Sequence, residues 1–137
     1  MASIEEIVVS ARDAEVLALM LGERRRQSEL EANAAAALAR LLCEARLVPH
    51  EKLPADRVAM NSVVTYEVEP GGARRSVALV HPIESAPALG RISVLSPIGL
   101  ALLGRAPDAR VEAALPGDRL VTIRILEASR NREELAA

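Results

Sequence analysis

The hydrophobic periodicity of this chain changes once, at the proline-containing stretch VPHEKLP between Val48 and Pro54. Before this stretch, apolar residues recur at spacings of three and four, which is typical of amphipathic helices. After it, apolar and polar residues alternate in short runs, which is typical of strands with one buried face. Because Pro49 and Pro54 cannot continue a helix, the change predicts an α+β chain built in two parts.

The first part, residues 1–48, is predicted to be an antiparallel helical hairpin (a short coiled coil) with a short N-terminal extension. Ser10 followed by Asp13 resembles a capping box at a helix start, with Asp in place of the usual Glu or Gln. The first helix then carries an apolar stripe at positions 16, 17, 20 and 21, and polar GERRRQS after it indicates a chain reversal.

The second helix is predicted to begin after Ser28 and to run to about residue 48. Its apolar seam toward the first helix comprises Leu30, Ala34, Ala37, Leu41, Ala45 and Val48. The run of alanines at 34–37 permits a close approach of another helix. At about 1.5 Å per residue, the arms of the hairpin are roughly 22 to 30 Å long.

Residues 49–59 are predicted to be a linker, residues 60–127 a small antiparallel sheet domain, and residues 128–137 a flexible tail. Ser96 is predicted to cap a short helix that begins at Pro97 and ends before Gly104, because these residue types favour those positions. Strands are predicted at 62–69, 75–82, 91–95, 109–115 and 119–127.

Composition favours a binding protein over an enzyme, and we expect no catalytic residue, cofactor or metal ion. His50 and His81 are far apart and each lies beside a proline, which is typical of surface or strand-end residues rather than metal ligands. Cys43 lies in an apolar helix and is expected to be a small core residue. The sequence contains neither a Gly-x-Ser-x-Gly elbow nor a glycine-rich phosphate loop.

The charge balance and the single aromatic residue also restrict the partners. A net charge of −2 gives no general reason to bind nucleic acid, and Tyr66 alone cannot provide the stacking platform of a single-strand binder. We therefore expect no sequence-specific DNA binding. No stretch predicts a signal peptide or a membrane span, and we expect no membrane partner and a cytoplasmic protein.

Charged residues crowd the predicted tip of the hairpin, and they allow two interpretations. One is a solvated turn whose charges suit the helix ends, and the other is a probe that meets a polyanionic or metal-bearing surface. The tip residues are Glu23, Arg24, Arg25, Arg26 and Glu29.

The run SVALVHPIES…GRISVLSPIGLALLG resembles the C-terminal domain of the bacterial Gre transcription factors. The matching residues are Val80, His81, Pro82, Ile92, Ser93, Ser96, Pro97, Ala101, Leu102 and Gly104. Upstream, LPADRVAMNSVV and EARLVPHEKLP, together with AALPGD near the last strand, resemble the Rnk subgroup, named for regulation of nucleoside diphosphate kinase.

The resemblance implies an N-terminal coiled coil, an FKBP-like sheet domain and RNA polymerase as the partner. In this family the globular domain docks at the rim of the secondary channel, and the turn equivalent to Leu95, Ser96 and Pro97 contributes to docking. Rnk-type proteins compete with Gre factors for that site without stimulating transcript cleavage. Leu95 stands where Gre factors commonly have Asp or Asn, so the acidic part of that contact is missing here.

Three alternatives remain beside a polymerase-binding regulator of the Rnk type. A cleavage-stimulating Gre factor holds magnesium with an acidic pair at the tip, whereas three arginines dominate the tip here. A prolyl isomerase of FKBP-like fold needs an aromatic cradle that one tyrosine cannot form. A direct DNA binder is disfavoured by the charge balance.

Overall fold

A computed structural model describes residues 6–23, 29–69 and 71–130, and it confirms the α+β class. Helix α1 (Ala11–Glu23) follows strand β1 (Val8–Ser10), and helix α2 (Glu29–Glu44) leads into strand β2 (Arg46–Val48). The remaining elements are β3 (Val63–Glu69), β4 (Ala73–Val80), β5 (Arg91–Ser93), α3 (Pro97–Leu102), β6 (Arg110–Leu115) and β7 (Arg119–Ser129).

Strands β1 and β2 form a parallel two-stranded sheet that the sequence did not predict, with Val8 opposite Arg46. The predicted second helix therefore ends at Glu44 and not near residue 48. Beyond that point the main chain pairs with β1, since the Arg46 N–H donates to the Ile7 carbonyl at 2.8 Å. The start of α1 and the end of α2 are thus held side by side. The antiparallel course of the two helices stays a prediction.

The predicted cap of α1 is confirmed at Ser10, whose buried hydroxyl accepts a hydrogen bond from the Asp13 N–H at 3.0 Å. Asp13 itself does more than a capping box requires. Its Oδ2 atom accepts a hydrogen bond from the Met60 N–H at 3.1 Å, which connects the first turn of α1 to the segment before β3.

The buried faces of the two helices differ in part from the predicted stripes. In α1, Leu17 is buried, whereas Val16 is 44% exposed. In α2, Leu38 is fully buried and Leu41 nearly so, whereas Ala37 is exposed. The true seam of α2 follows the spacing 34, 38, 41, 45, which keeps one face of a 3.6-residue helix, and position 37 lies off that face.

The five-stranded sheet has the order β5-β4-β3-β7-β6, and its neighbours are antiparallel except β4 and β5. The prediction of a purely antiparallel sheet is therefore wrong at that edge. After the connection over residues 81–90 the chain runs beside the last three residues of β4, where Ala78 pairs with Arg91, and β5 has the same direction as β4. The inward positions of the strands fill an aliphatic core that also receives α3.

The predicted boundaries are modified by packing at both ends of the sheet domain. Within the expected linker, Leu53 and Val58 are buried, and Val58 exchanges main-chain hydrogen bonds with Gly104 and Arg105. At the other end, β7 continues to Ser129 because Ala128 is buried and pairs with Val64. The flexible tail cannot begin at residue 128; residues 131–137 lie outside the described part.

Candidate functional site

The turn between β5 and α3 is fixed by a compact set of hydrogen bonds around two serines. Ser93 Oγ accepts from the Leu95 N–H at 2.9 Å, and the Ser96 hydroxyl donates to the Ser93 carbonyl at 2.7 Å. Ser96 Oγ also accepts from the Gly99 N–H at 3.1 Å, so the predicted N-cap is confirmed, with Pro97 as the first helical residue. A capped helix start of this kind holds its side chains in one arrangement.

The close packing of α3 is sterically possible because two positions, one within the helix and one shortly after it, are glycines. A Cβ atom at Gly99 would overlap the Ser93 carbonyl oxygen, so only glycine allows the helix to lie so close to β5. Gly104 has a φ of +80°, the left-handed conformation expected after a helix end, and a Cβ there would lie 2.5 Å from Ile7 Cγ2. The short helix is therefore held against both parts of the chain.

The turn borders a groove of about 840 Å³ between α2, α3 and β6. Leu95 and Ser96 are half-buried in its wall, and Pro97 is exposed beside them. The other lining residues are Glu31, Asn33, Ala34, Ala37, Pro82, Ser85, Ser93, Leu100, Ala101, Arg105, Glu112, Ala113, Ala114, Leu115 and Pro116. The side chains are mostly apolar or small, and Glu31, Arg105 and Glu112 supply its charges.

Ala37, which lies off the helical seam, borders the groove. Ala34 and Ala37 both line it from α2, so at these two residues the alanine run faces an open groove. The sequence indicated the small residues on this helix but not their neighbours, since α3 and β6 lie far along the chain.

A second feature near the groove was missed by the sequence analysis, namely the exposed apolar residues of the loop before β5. Ile83 is 94% exposed and Leu89 is 71% exposed. They lie in two short 3-10 turns that begin at Pro82 and Pro87, and Pro82 also lines the groove. The signal was present as apolar residues between prolines, outside any alternating run.

The predicted tip residues are only partly within the described structure. Glu23 is the last residue of α1 and Glu29 is the first residue of α2, and both are exposed. Arg24, Arg25 and Arg26 lie outside the described residues. Over the ranges that the structure covers, no group of three His, Cys, Asp or Glu side chains could hold a metal ion.

Cys43 and Tyr66 lie in opposite environments. Cys43 is exposed and not a core residue, because it lies on the face of α2 opposite the buried Leu38 and Leu41. Tyr66 is 5% exposed within the sheet core, where burial raises the pKa of its hydroxyl while the charge of Arg75 partly opposes the rise. In the described part of the chain, no helix has the length and apolar character needed to cross a membrane.

Residues 53–130, more than half of the chain, match the family described as "Transcription elongation factor, GreA/GreB, C-term". The chain belongs to the GreA/GreB family. A GreA/GreB factor from Nitrosomonas europaea has a similar structure, with a TM-score of 0.71 and 31% identity over 92% of this chain and 99% of that one. The matched segment contains the capped turn, the groove wall from Leu95 to Pro116 and the exposed loop.

Curated relatives of this GreA/GreB family member carry two names. GreA of Desulfovibrio desulfuricans is 33% identical over 84 residues, which are 61% of this chain and 51% of that protein. The "Regulator of nucleoside diphosphate kinase" of Escherichia coli K12 is 33% identical over 86 residues, which are 63% of each chain. Each match thus spans less than two thirds of the curated relative. The predicted resemblance to both the Gre factors and the Rnk subgroup is confirmed.

Proposed function

We propose that this protein binds RNA polymerase and regulates transcription in the manner of the Rnk type, without stimulating transcript cleavage. Membership of the GreA/GreB family supports polymerase as the partner. The docking surface comprises the capped turn of Leu95, Ser96 and Pro97 at the rim of the secondary channel. Its rigidity supports this role, because a contact presented in one conformation loses little entropy on binding.

The sequence between α1 and α2 is the observation that favours a Rnk-type regulator over a cleavage-stimulating Gre factor. Three arginines stand between Glu23 and Glu29. A magnesium ion prefers carboxylate and other oxygen ligands, whereas a guanidinium group offers only donors and positive charge. The helices of 13 and 16 residues are also short, roughly 20 and 24 Å at about 1.5 Å per residue.

The second candidate function is stimulation of transcript cleavage, as in a Gre factor. It is favoured by the exposed carboxylates of Glu23 at the end of α1 and Glu29 at the start of α2, and by the relative named GreA. Both candidates share the partner and the docking surface. They differ in whether the tip can help to hold a metal ion at the active centre of the polymerase.

A stalled, backtracked elongation complex tests both candidates. The protein is added alone and then together with a Gre factor, and the shortened transcripts are measured. We expect no cleavage by the protein alone and a dose-dependent loss of the cleavage that the Gre factor stimulates, because both compete for one site. Robust cleavage by the protein alone would establish the second candidate. Undiminished Gre activity at high concentration would contradict a shared site.

The docking surface is tested with the double variant Ser96→Ala and Pro97→Ala in a binding assay with core polymerase. Loss of the N-cap costs about 1 kcal/mol, which a folded domain tolerates. We expect much weaker polymerase binding with only a small decrease in stability. Ser76→Ala is the control, since it removes a serine hydroxyl that takes part in a hydrogen bond away from the turn, with Thr65 Oγ at 2.8 Å. Equal binding by both variants would place the docking surface elsewhere.

A further inference from the structure

A second, smaller cavity of about 220 Å³ lies where the first turn of α1, the segment before β3 and the end of β7 meet. Its lining includes three arginines and a histidine from distant parts of the sequence. These residues are Arg12, His50, Arg57 and Arg130. The cavity is separate from the groove beside α3, because the two share no lining residue.

The charge of this cavity is strongly one-sided. The three guanidinium groups face one lining carboxylate, that of Asp13, and one oxygen of this carboxylate already accepts the Met60 N–H. Within residues 6–23, 29–69 and 71–130, none of the three arginines forms an ion pair. A recess lined mainly by charges of one sign raises the local concentration of ions of the opposite sign, here anions.

Two of the arginines are held in place by main-chain carbonyl groups. Arg57 Nη1 donates to the carbonyls of Glu6 and Gly104, at 3.1 and 3.3 Å, and Arg130 Nη2 donates to the Leu53 carbonyl at 3.3 Å. Each guanidinium group has five N–H donors, so these bonds anchor the group and leave further donors for a ligand. The third, Arg12, is exposed at the mouth.

His50 also lines this cavity. Its Nδ1 atom is buried and has no hydrogen-bond partner in the described structure. The common environment of these residues is not evident from the sequence, because Arg12 and Arg130 lie 38 and 80 positions from His50.

The size of the cavity restricts the anion. A volume of about 220 Å³ equals that of roughly seven water molecules, at about 30 Å³ each. It accommodates one or two phosphate groups. Guanidinium groups bind phosphate oxygens through paired, charge-assisted hydrogen bonds. We propose that this cavity, at the junction of the helical part and the sheet domain, binds a small phosphate-bearing molecule through its phosphate groups.

Binding at this position has a measurable effect on stability. The lining comes from α1, from the segment before β3 and from the end of β7, so the site exists only when these parts are assembled. A ligand that binds only the folded state raises the melting temperature as its concentration increases. This expectation is independent of polymerase binding, so it is tested on the purified protein.

The test uses inorganic phosphate and pyrophosphate as probes, in calorimetric titration and thermal melting at constant ionic strength, with chloride as the reference salt. We expect saturable binding, tighter for pyrophosphate, and weakening of at least tenfold in Arg12→Gln. Arg12 makes no hydrogen bond to another described residue, so this variant should fold normally. Arg119→Gln is the matched control, since Arg119 is an exposed arginine remote from the cavity lining, and it should bind as the unmodified protein does.

Three results would overturn the proposal. The first is the absence of saturable binding of either probe, and the second is equal affinity in Arg12→Gln and Arg119→Gln. The third comes from a short single-stranded RNA titrated in parallel. If the RNA binds in an Arg12-dependent manner while phosphate and pyrophosphate do not, the arginines serve a nucleic-acid backbone and not a small molecule.

Discussion

Replacement of Leu38 by alanine tests whether α2 packs against the core as the structure shows. Leu38 is fully buried, with no solvent-exposed surface. The change removes three carbon atoms, and at about 0.8 kcal/mol for each buried carbon the lost transfer energy is roughly 2.4 kcal/mol. The cavity left behind adds to this loss, so we expect a decrease of about 3 kcal/mol in the free energy of unfolding.

The assay is urea unfolding followed by circular dichroism, with thermal melting as a second measurement. A loss of about 3 kcal/mol corresponds to a decrease of roughly 12 °C in melting temperature for a chain of this size. Leu19→Ala is the matched control, because Leu19 is 60% exposed on α1 and the change should stay within about 0.5 kcal/mol. If the two variants differ by less than about 1 kcal/mol, α2 does not pack through Leu38 and the seam is wrong.

Two further predictions concern the sheet domain. Gly104→Ala should lower the free energy of unfolding by about 1–3 kcal/mol, since alanine is strained at a φ of +80° and would contact Ile7; an unchanged urea midpoint would contradict this. Burial raises the pKa of Tyr66, so the stability from its neutral hydroxyl is complete below pH 10 and is lost as pH rises through the folded-state pKa. Between pH 9 and 11 the free energy of unfolding should fall less in Tyr66→Phe than in the unmodified protein; equal losses would show that Tyr66 does not contribute.

The features that the sequence predicted correctly depend on local patterns. Alternation of apolar residues located the five strands of the sheet, and the residue types at Ser96, Pro97 and Gly104 marked both ends of α3. Each of these signals lies within about ten consecutive residues. Side-chain period and capping chemistry are properties of such short segments, which is why they can be read before any tertiary contact is known.

The features that the sequence did not predict depend on contacts between distant segments. Strands β1 and β2 have three residues each, too few to show a period, and their pairing joins positions 38 apart, such as Val8 and Arg46. The parallel course of β5 follows from the path of a loop. The arginine cavity brings together Arg12, Arg57 and Arg130, whose separation along the chain hides their common environment.

The contacts around Gly104 have a consequence for how this architecture can diverge among relatives. The Val8 N–H donates to the Gly104 carbonyl at 3.0 Å, the Gly104 N–H to Val58 at 2.9 Å, and the Val58 N–H to Arg105 at 2.9 Å. Main-chain groups are the same in every residue type except proline. The angle between the helices and the sheet can therefore persist through extensive substitution at positions 8, 58 and 105, and only the glycine is restricted. Relatives with unrelated helical sequences should still present their helices in the same direction.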